Sequence, residues 1–152
     1  MAPPQLRFAF EIDVTVAAPL DLGETQNGHR RIVAVQGGRL AGPRLQGVVL
    51  EGGADWQILR PDGTADLDAR YTIQADDGAL IYVINRGVRH GPAEVLARLN
   101  RGERVDPESY YFRSAATFET SAPQHAWLTR AVIVGAGERY PDKVVIRFWE
   151  LL

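Results

Sequence analysis

Residues 6–16 alternate without a break: Leu6, Phe8, Phe10, Ile12, Val14 and Val16 on one side, Arg7, Glu11, Asp13 and Thr15 on the other. A period of two sustained over that length predicts a long strand with one buried face. Pro19 closes it, the polar segment DLGETQNGHR with its Asn27-Gly28 turn dipeptide reads as a connection, and residues 29–36 (HRRIVAVQ) read as a shorter strand. Glycines then cluster at 37, 38, 42 and 47. Glycine at that density suggests bulges or barrel corners. A phosphate-cradling loop would have to feed a helix, and the segment that follows, 46–50, is short and β-rich.

The central stretch, 52–85, reads as three antiparallel strands joined at Pro61-Asp62-Gly63 and Asp76-Asp77-Gly78. With Asp62-Gly63 as the central pair of a tight turn, Ile58 falls opposite Leu67, Trp56 opposite Ala69 and Asp55 opposite Arg70. A three-residue loop with a bulge would shift that pairing. The second turn, read the same way, places Arg70 opposite Asn85, Tyr71 opposite Ile84 and Ile73 opposite Tyr82. One face then carries Trp56, Ile58, Leu67, Tyr71, Ile73, Leu80, Tyr82 and Ile84, and the other carries Asp55, Gln57, Asp68, Arg70, Thr72 and Asn85, with Ile81 and Val83 among them.

Beyond His90, Pro92 at a first helical position, apolar Val95, Leu96 and Leu99, and a stop at Gly102 predict one short helix over about 92–101. Strands follow at 110–120, 127–134 and 144–151, the last two around the loop GAGERYPDK. Eight or nine short strands, one helix and no repeated βαβ pattern predict an all-β single domain over 1–152. Its expected form is a closed or nearly closed antiparallel β-barrel, because a sheet of this size must manage its edges.

Composition narrows the chemistry. The 152 residues are 45% hydrophobic and 24% charged, with a formal net charge of −2 and interspersed signs, so neither nucleic acid nor an anionic membrane is an expected partner. No window approaches the roughly 20 apolar residues of a membrane helix, and the absence of cysteine excludes disulfides and thiolate sites and fits the cytoplasm. His29, His90 and His125 have no metal-ligand spacing, so no metal is expected. His125, just before a strand, could serve a barrel mouth as an acid/base group. No GxSxG elbow is present.

The motifs GGRLAGPRLQG at 37–47, GGADW at 52–56, DARYT at 68–72, DDGA at 76–79 and the late Trp127-Leu128 resemble the domain of unknown function 3237 family (uncharacterised protein family 0311) over about 8–150. The resemblance implies a compact antiparallel barrel, somewhat like lipocalin-type barrels, often assembled as a homo-oligomer, and implies little about chemistry. The segment Pro92 to Gly102 departs from the family pattern, so no lid or specificity role is carried over to it.

The sharpest site expectation is a cluster of Asp55, Arg70 and Asn85. On a lumenal face an Arg fork can hold a carboxylate, enolate or phenolate oxygen while the adjacent carboxylate acts as general base. The expected roles are Asp55 as base, Arg70 as oxyanion clamp, and Tyr82 or Tyr71 as orienter. Trp56, Tyr71, Asn85, Tyr111, Arg113 and Trp127 are expected ligand-binding residues around an apolar or aromatic carbonyl-type small molecule. The implied function is a cofactor-independent isomerase, lyase or cyclase. The alternative is a non-catalytic binding protein or structural oligomer module in which Asp55–Arg70 is a structural ion pair.

Overall fold

The computed structural model describes residues 1–152. Its strands are β1 (Leu6–Val16), β2 (Leu20–Thr25), β3 (Gly28–Ala41), β4 (Gly47–Val49), β5 (Ala54–Leu59), β6 (Ala65–Ala75), β7 (Leu80–His90), β8 (Tyr111–Glu119), β9 (Val132–Arg139) and β10 (Lys143–Leu151). Helix α1 (Ala93–Asn100) and the 3-10 turn Pro107–Ser109 connect β7 to β8, and the 3-10 segment Pro123–Thr129 connects β8 to β9.

The sheet is a closed antiparallel barrel. β1 pairs with β10 on one side and β3 on the other, and the remaining pairings join consecutive strands except for β3–β5 and β4–β6. β1 and β2 lie end to end along one edge of β3, β4 and β5 end to end along the other, so ten strands fill eight positions. Closure removes the exposed edges that an open sheet would present.

Alternation sends one set of side chains inward, and the two ends of the barrel are filled differently. Toward the Pro123–Thr129 segment the interior is packed with Phe10, Phe118, Phe148, Ile73, Ile81 and Ile133, with the Phe10 and Phe148 rings 4.9 Å apart. Toward α1 the inward positions become Asp55, Gln57, Ala69, Asn85, Gly87, Arg89, Ser114 and Arg139. Leu96 and Leu99 of α1 are buried.

Two expectations about the strands need correction. β2 was expected as a polar connection; its residues are exposed or half-buried on both sides, so no alternating pattern marks it, and pairing with β3 makes it a strand. The expected strand 127–134 begins only at Val132, and the expected loop GAGERYPDK is β9 as far as Arg139. Its glycines are strand glycines that leave room for neighbours. A Cβ on Gly137 would lie 2.5 Å from the Phe112 ring.

The register of the central stretch also differs by one residue. Arg60 N–H donates to Thr64 O at 2.7 Å and Gly63 N–H to Arg60 O at 2.9 Å; Ala75 and Ala79 close the second turn in the same way. Each turn is therefore a three-residue loop ending on a glycine with φ of +87°. Asp55 faces Ala69, Arg70 faces Ala54 in β5 and Ile84 in β7, and Asn85 faces Ala69. A one-residue slip exchanges the faces that two strands share. Asp55 thus points inward and Arg70 outward, while Trp56 and Tyr82 move outside and Ile81 and Val83 inside.

Candidate ligand-binding site in the barrel lumen

A cavity of about 60 Å³ lies in the half of the lumen nearer α1, walled by Asp55, Gln57, Tyr71, Asn85, Arg89 and Ser114 among apolar neighbours. Space exists because Ala69, Gly87 and Ser114 occupy inward positions where the other end carries aromatic rings. The polar groups on this wall are poorly served by the protein itself. Gln57 Oε1, Tyr71 Oη, Asn85 Oδ1 and Ser114 Oγ are all buried and find no hydrogen-bond partner in the protein. Buried polar atoms are hydrogen-bonded in the large majority of cases, so four around one cavity mark it as built to hold polar contents.

Asp55 borders the cavity, and its carboxylate is held from two sides. Oδ2 accepts from Gln57 Nε2 at 2.8 Å and Oδ1 from the backbone N–H of Asp68 at 2.9 Å. Burial nevertheless outweighs those bonds and raises its pKa above the ordinary carboxylate value. Arg89 is 5% exposed, and burial brings its pKa down to about 10, which still leaves it charged at neutral pH. Its guanidinium stands 5.8 Å from the Phe112 ring centroid, and no hydrogen bond or ion pair from the protein engages it. Arg139, whose pKa burial also lowers, donates from Nη1 to Tyr140 O at 2.8 Å. The Tyr71 hydroxyl is pushed up by burial to a point where it remains protonated and able to donate.

Of the residues expected at a site, Asp55, Asn85 and Tyr71 meet on the cavity wall. Arg70 does not join them. It lies outside, 3.3 Å from Asp68, with its side chain 41% exposed. Trp56 shares that outer surface, and Tyr82 is exposed opposite Thr72. Tyr111 and Arg113 border an open outer groove of about 870 Å³ with His90 and Trp149. Trp127, at the far end of the barrel, lies under the guanidinium of Arg44 at 3.7 Å. His125 at that end is buried and hydrogen-bonded to Asp77 Oδ2 at 2.8 Å.

The family described as protein of unknown function (DUF3237) matches residues 4–151. A UPF0311 protein of Rhodopseudomonas palustris is 41% identical over 148 residues, covering 97% of each chain. This chain belongs to the DUF3237 family. A crystal structure of a conserved protein of unknown function from that organism superposes with a TM-score of 0.94 at 40% identity, covering 100% of both chains. A β-barrel-like protein of Acinetobacter baumannii superposes at 0.87 with 42% identity, over 100% of this chain and 98% of the other. More distant is a hydroalkoxylation enzyme of Penicillium herquei, 25% identical over 149 residues, 98% of this chain and 85% of its own.

In this DUF3237 member the sequence reading missed Arg89 and Arg139 as site residues. Arg89 carried a usable signal. Ile81, Val83, Asn85, Gly87 and Arg89 keep one parity along β7, so a strand extended to His90 sends Arg89 inward with Asn85. Arg139 was hidden because Gly135 and Gly137 made its strand look like a loop.

Proposed function

We propose that the lumen binds a small oxygenated organic molecule and moves a proton on it without a cofactor. Asp55 serves as base, Arg89 as the oxyanion clamp that sequence reading assigned to Arg70, and Tyr71 with Asn85 as orienting groups. The observation that carries this reading is the convergence of four unpartnered buried polar atoms and one unengaged guanidinium on the cavity that Asp55 borders. A carboxyl with a raised pKa beside a fixed positive charge is the pairing that proton abstraction next to a carbonyl requires.

In such a step the Asp55 carboxylate takes a proton from the carbon beside the carbonyl. The C–H electron pair moves into the new C=C bond, and the carbonyl pair moves onto oxygen. Arg89 and the Tyr71 hydroxyl stabilise the resulting enolate, and protonated Asp55 returns the proton to the same carbon or, where a further C=C is conjugated with the enolate, to the γ-carbon as that double bond shifts. Atoms and charge balance with no redox partner. Hydroalkoxylation, the reaction named for the Penicillium herquei relative, adds O–H across a C=C bond and is likewise a proton-in, proton-out change. That relative supports placing this barrel among scaffolds that accommodate acid–base catalysis.

Size bears on the ligand. Drug-sized molecules occupy sites of about 300–1,000 Å³, well above the 60 Å³ present here. A larger ligand therefore requires the cover at the α1 end to move. The side-chain hydrogen bond tying α1 to the barrel wall is Arg31 Nη1 to Asn100 Oδ1 at 3.2 Å.

The test is exchange of carbon-bound α-protons in D2O for a panel of small enones and β-keto acids, followed by NMR. Asp55→Asn is expected to lower the enzyme-dependent exchange rate by about 10²–10⁴-fold, the range of general-base contributions. Exchange that persists unchanged in the variant sinks the catalytic role. The non-catalytic reading rests on a specific observation too, since both Asp55 oxygens already accept hydrogen bonds and could act as a brace. It predicts ligand binding with no exchange in either protein.

A further inference from the structure

We infer that the molecule the lumen accepts is a monoanion, seated with its oxyanion on Arg89 at the α1 end of the barrel. The inference rests on the lumenal site proposed above and goes beyond it by fixing the charge of the ligand.

The first support is the balance of charged groups. Arg31 lies opposite Gln57 in the β3–β5 ladder and opposite Asp21 in the β2–β3 ladder, half-exposed at the rim of the barrel, where the two charges act on each other. Arg89 and Arg139 both line the cavity. Arg31 and Arg139 each bear electrostatically on Arg89, and Arg31 on Arg139. Arg31 is answered by Asp21 at the rim, and Asp142 acts on Arg139 from the exposed β9–β10 turn, so on the cavity wall itself the two guanidiniums of Arg89 and Arg139 stand against the single carboxylate of Asp55. One positive charge is left over in an environment poor in water, where an uncompensated ion is costly. A bound monoanion closes that balance; a dianion overshoots it and a neutral molecule leaves it open.

The second support is donor capacity. Arg139 spends Nη1 on two backbone carbonyls, Tyr140 O at 2.8 Å and Lys143 O at 3.5 Å, and Arg31 spends a donor on Asn100. Arg89 is engaged by neither kind of partner. Its planar fork presents parallel N–H donors, the geometry that matches a carboxylate or an enolate oxygen. Ser114 Oγ and the protonated Tyr71 hydroxyl add two further buried donors on the same wall. Asp55 cannot take the place of the anion. Its two oxygens are occupied by Gln57 and the Asp68 N–H, and it makes no ion pair with Arg89.

The cavity volume chooses the probe. About 60 Å³ admits a two-carbon carboxylate without displacing α1. Acetate and its neutral isostere acetamide are titrated at constant ionic strength into the full chain, with backbone and side-chain NH resonances followed by NMR. Acetate is expected to give saturable shifts at Asn85, Gly87, Arg89 and Ser114. Acetamide should bind at least tenfold more weakly. Arg89→Gln should weaken acetate roughly 10- to 100-fold, the span of a lost charge-assisted hydrogen bond. Asp55→Asn should tighten acetate by removing the nearest competing carboxylate.

Acetamide binding as tightly as acetate at those resonances overturns the anion inference while leaving a lumenal ligand site standing. Shifts confined to exposed arginines such as Arg60 and Arg86 mean an adventitious surface ion and overturn it as well. No lumenal shift with either probe removes this inference, whereas the proton-exchange assay judges the wider functional reading separately. Should Arg89→Gln fail to fold, the acetate–acetamide contrast on the unmodified protein and the Asp55→Asn shift in affinity decide the matter.

Discussion

At the scale of single residues, burying the Asp55 carboxyl costs stability at neutral pH. Its pKa is raised in the folded protein, so between the unfolded value near 3.8 and the higher folded value the native state binds more protons than the unfolded chain. Stability from this group is then greatest below the unfolded pKa and falls as pH rises through the folded one. Asparagine at 55 avoids that loss. Its carbonyl can keep the bond from the Asp68 N–H, and its amide can donate to Gln57 Oε1, which has no partner in the native protein. Asp55→Asn should therefore melt no lower than the native protein at pH 7.5, and its relative advantage should shrink toward pH 4. Scanning calorimetry across that range checks it. A sharp drop in melting temperature at neutral pH would instead mark Asp55 as a brace for the buried arginines.

At the scale of elements, the two Asp-Gly turns control which residues meet. Gly63 and Gly78 both have φ of +87°, a region that costs an L-residue about 1–2 kcal/mol. A Cβ on Gly78 would meet nothing within 4 Å, whereas one on Gly63 would stand 3.1 Å from Leu96 Cδ1 of α1. Gly78→Ala should lose only the backbone term, about 2–8 °C in melting temperature for a domain of this size. Gly63→Ala should lose more and should loosen α1, seen as faster amide exchange over Ala93–Asn100. Equal losses with α1 unaffected would show that the turn and the helix are independent.

The same turns mark how far the sequence could be read. The face of β1 was legible from Phe10 to Val16, whereas a bulge between Phe8 and Phe10 turns Leu6 and Phe8 to the exposed side against expectation, and both hairpins were legible from Asp and Gly. The lumenal arginine was not. A two-residue and a three-residue loop share the same residues here, and the choice depends on the bond from Arg60 N–H to Thr64 O, which composition does not encode. That single step replaced Arg70 by Arg89 as the arginine beside Asp55. Strand glycines concealed Arg139 for a related reason, since Gly137 makes room for the Phe112 ring on the neighbouring strand β8 rather than forming a turn.

At the scale of the whole molecule, the barrel combines a packed half with a hollow half, and its seam brings the two chain ends together. Leu6 lies opposite Leu151, and Gln5 and Leu152 exchange backbone hydrogen bonds of 3.3 and 2.8 Å. Glu150 bridges Arg7 and Arg44 across that seam. Apart from the end-to-end pairs β1/β2 and β4/β5, every strand pairs with its successor, so joining the ends makes the meander continuous without altering any pairing. A circular permutant with a short Gly/Ser linker from 152 to 5 and new ends at Asp77-Gly78 should therefore fold to the same barrel. That turn is exposed and carries few contacts, although Asp77 bonds to Gln124 and His125, so the cut should loosen the Pro123–Thr129 segment locally. The polar cavity lies in the other half of the lumen, and acetate binding measured by the same NMR shifts should be retained. Loss of binding together with an intact fold would show that the packed end of the barrel holds the cavity residues in place from a distance.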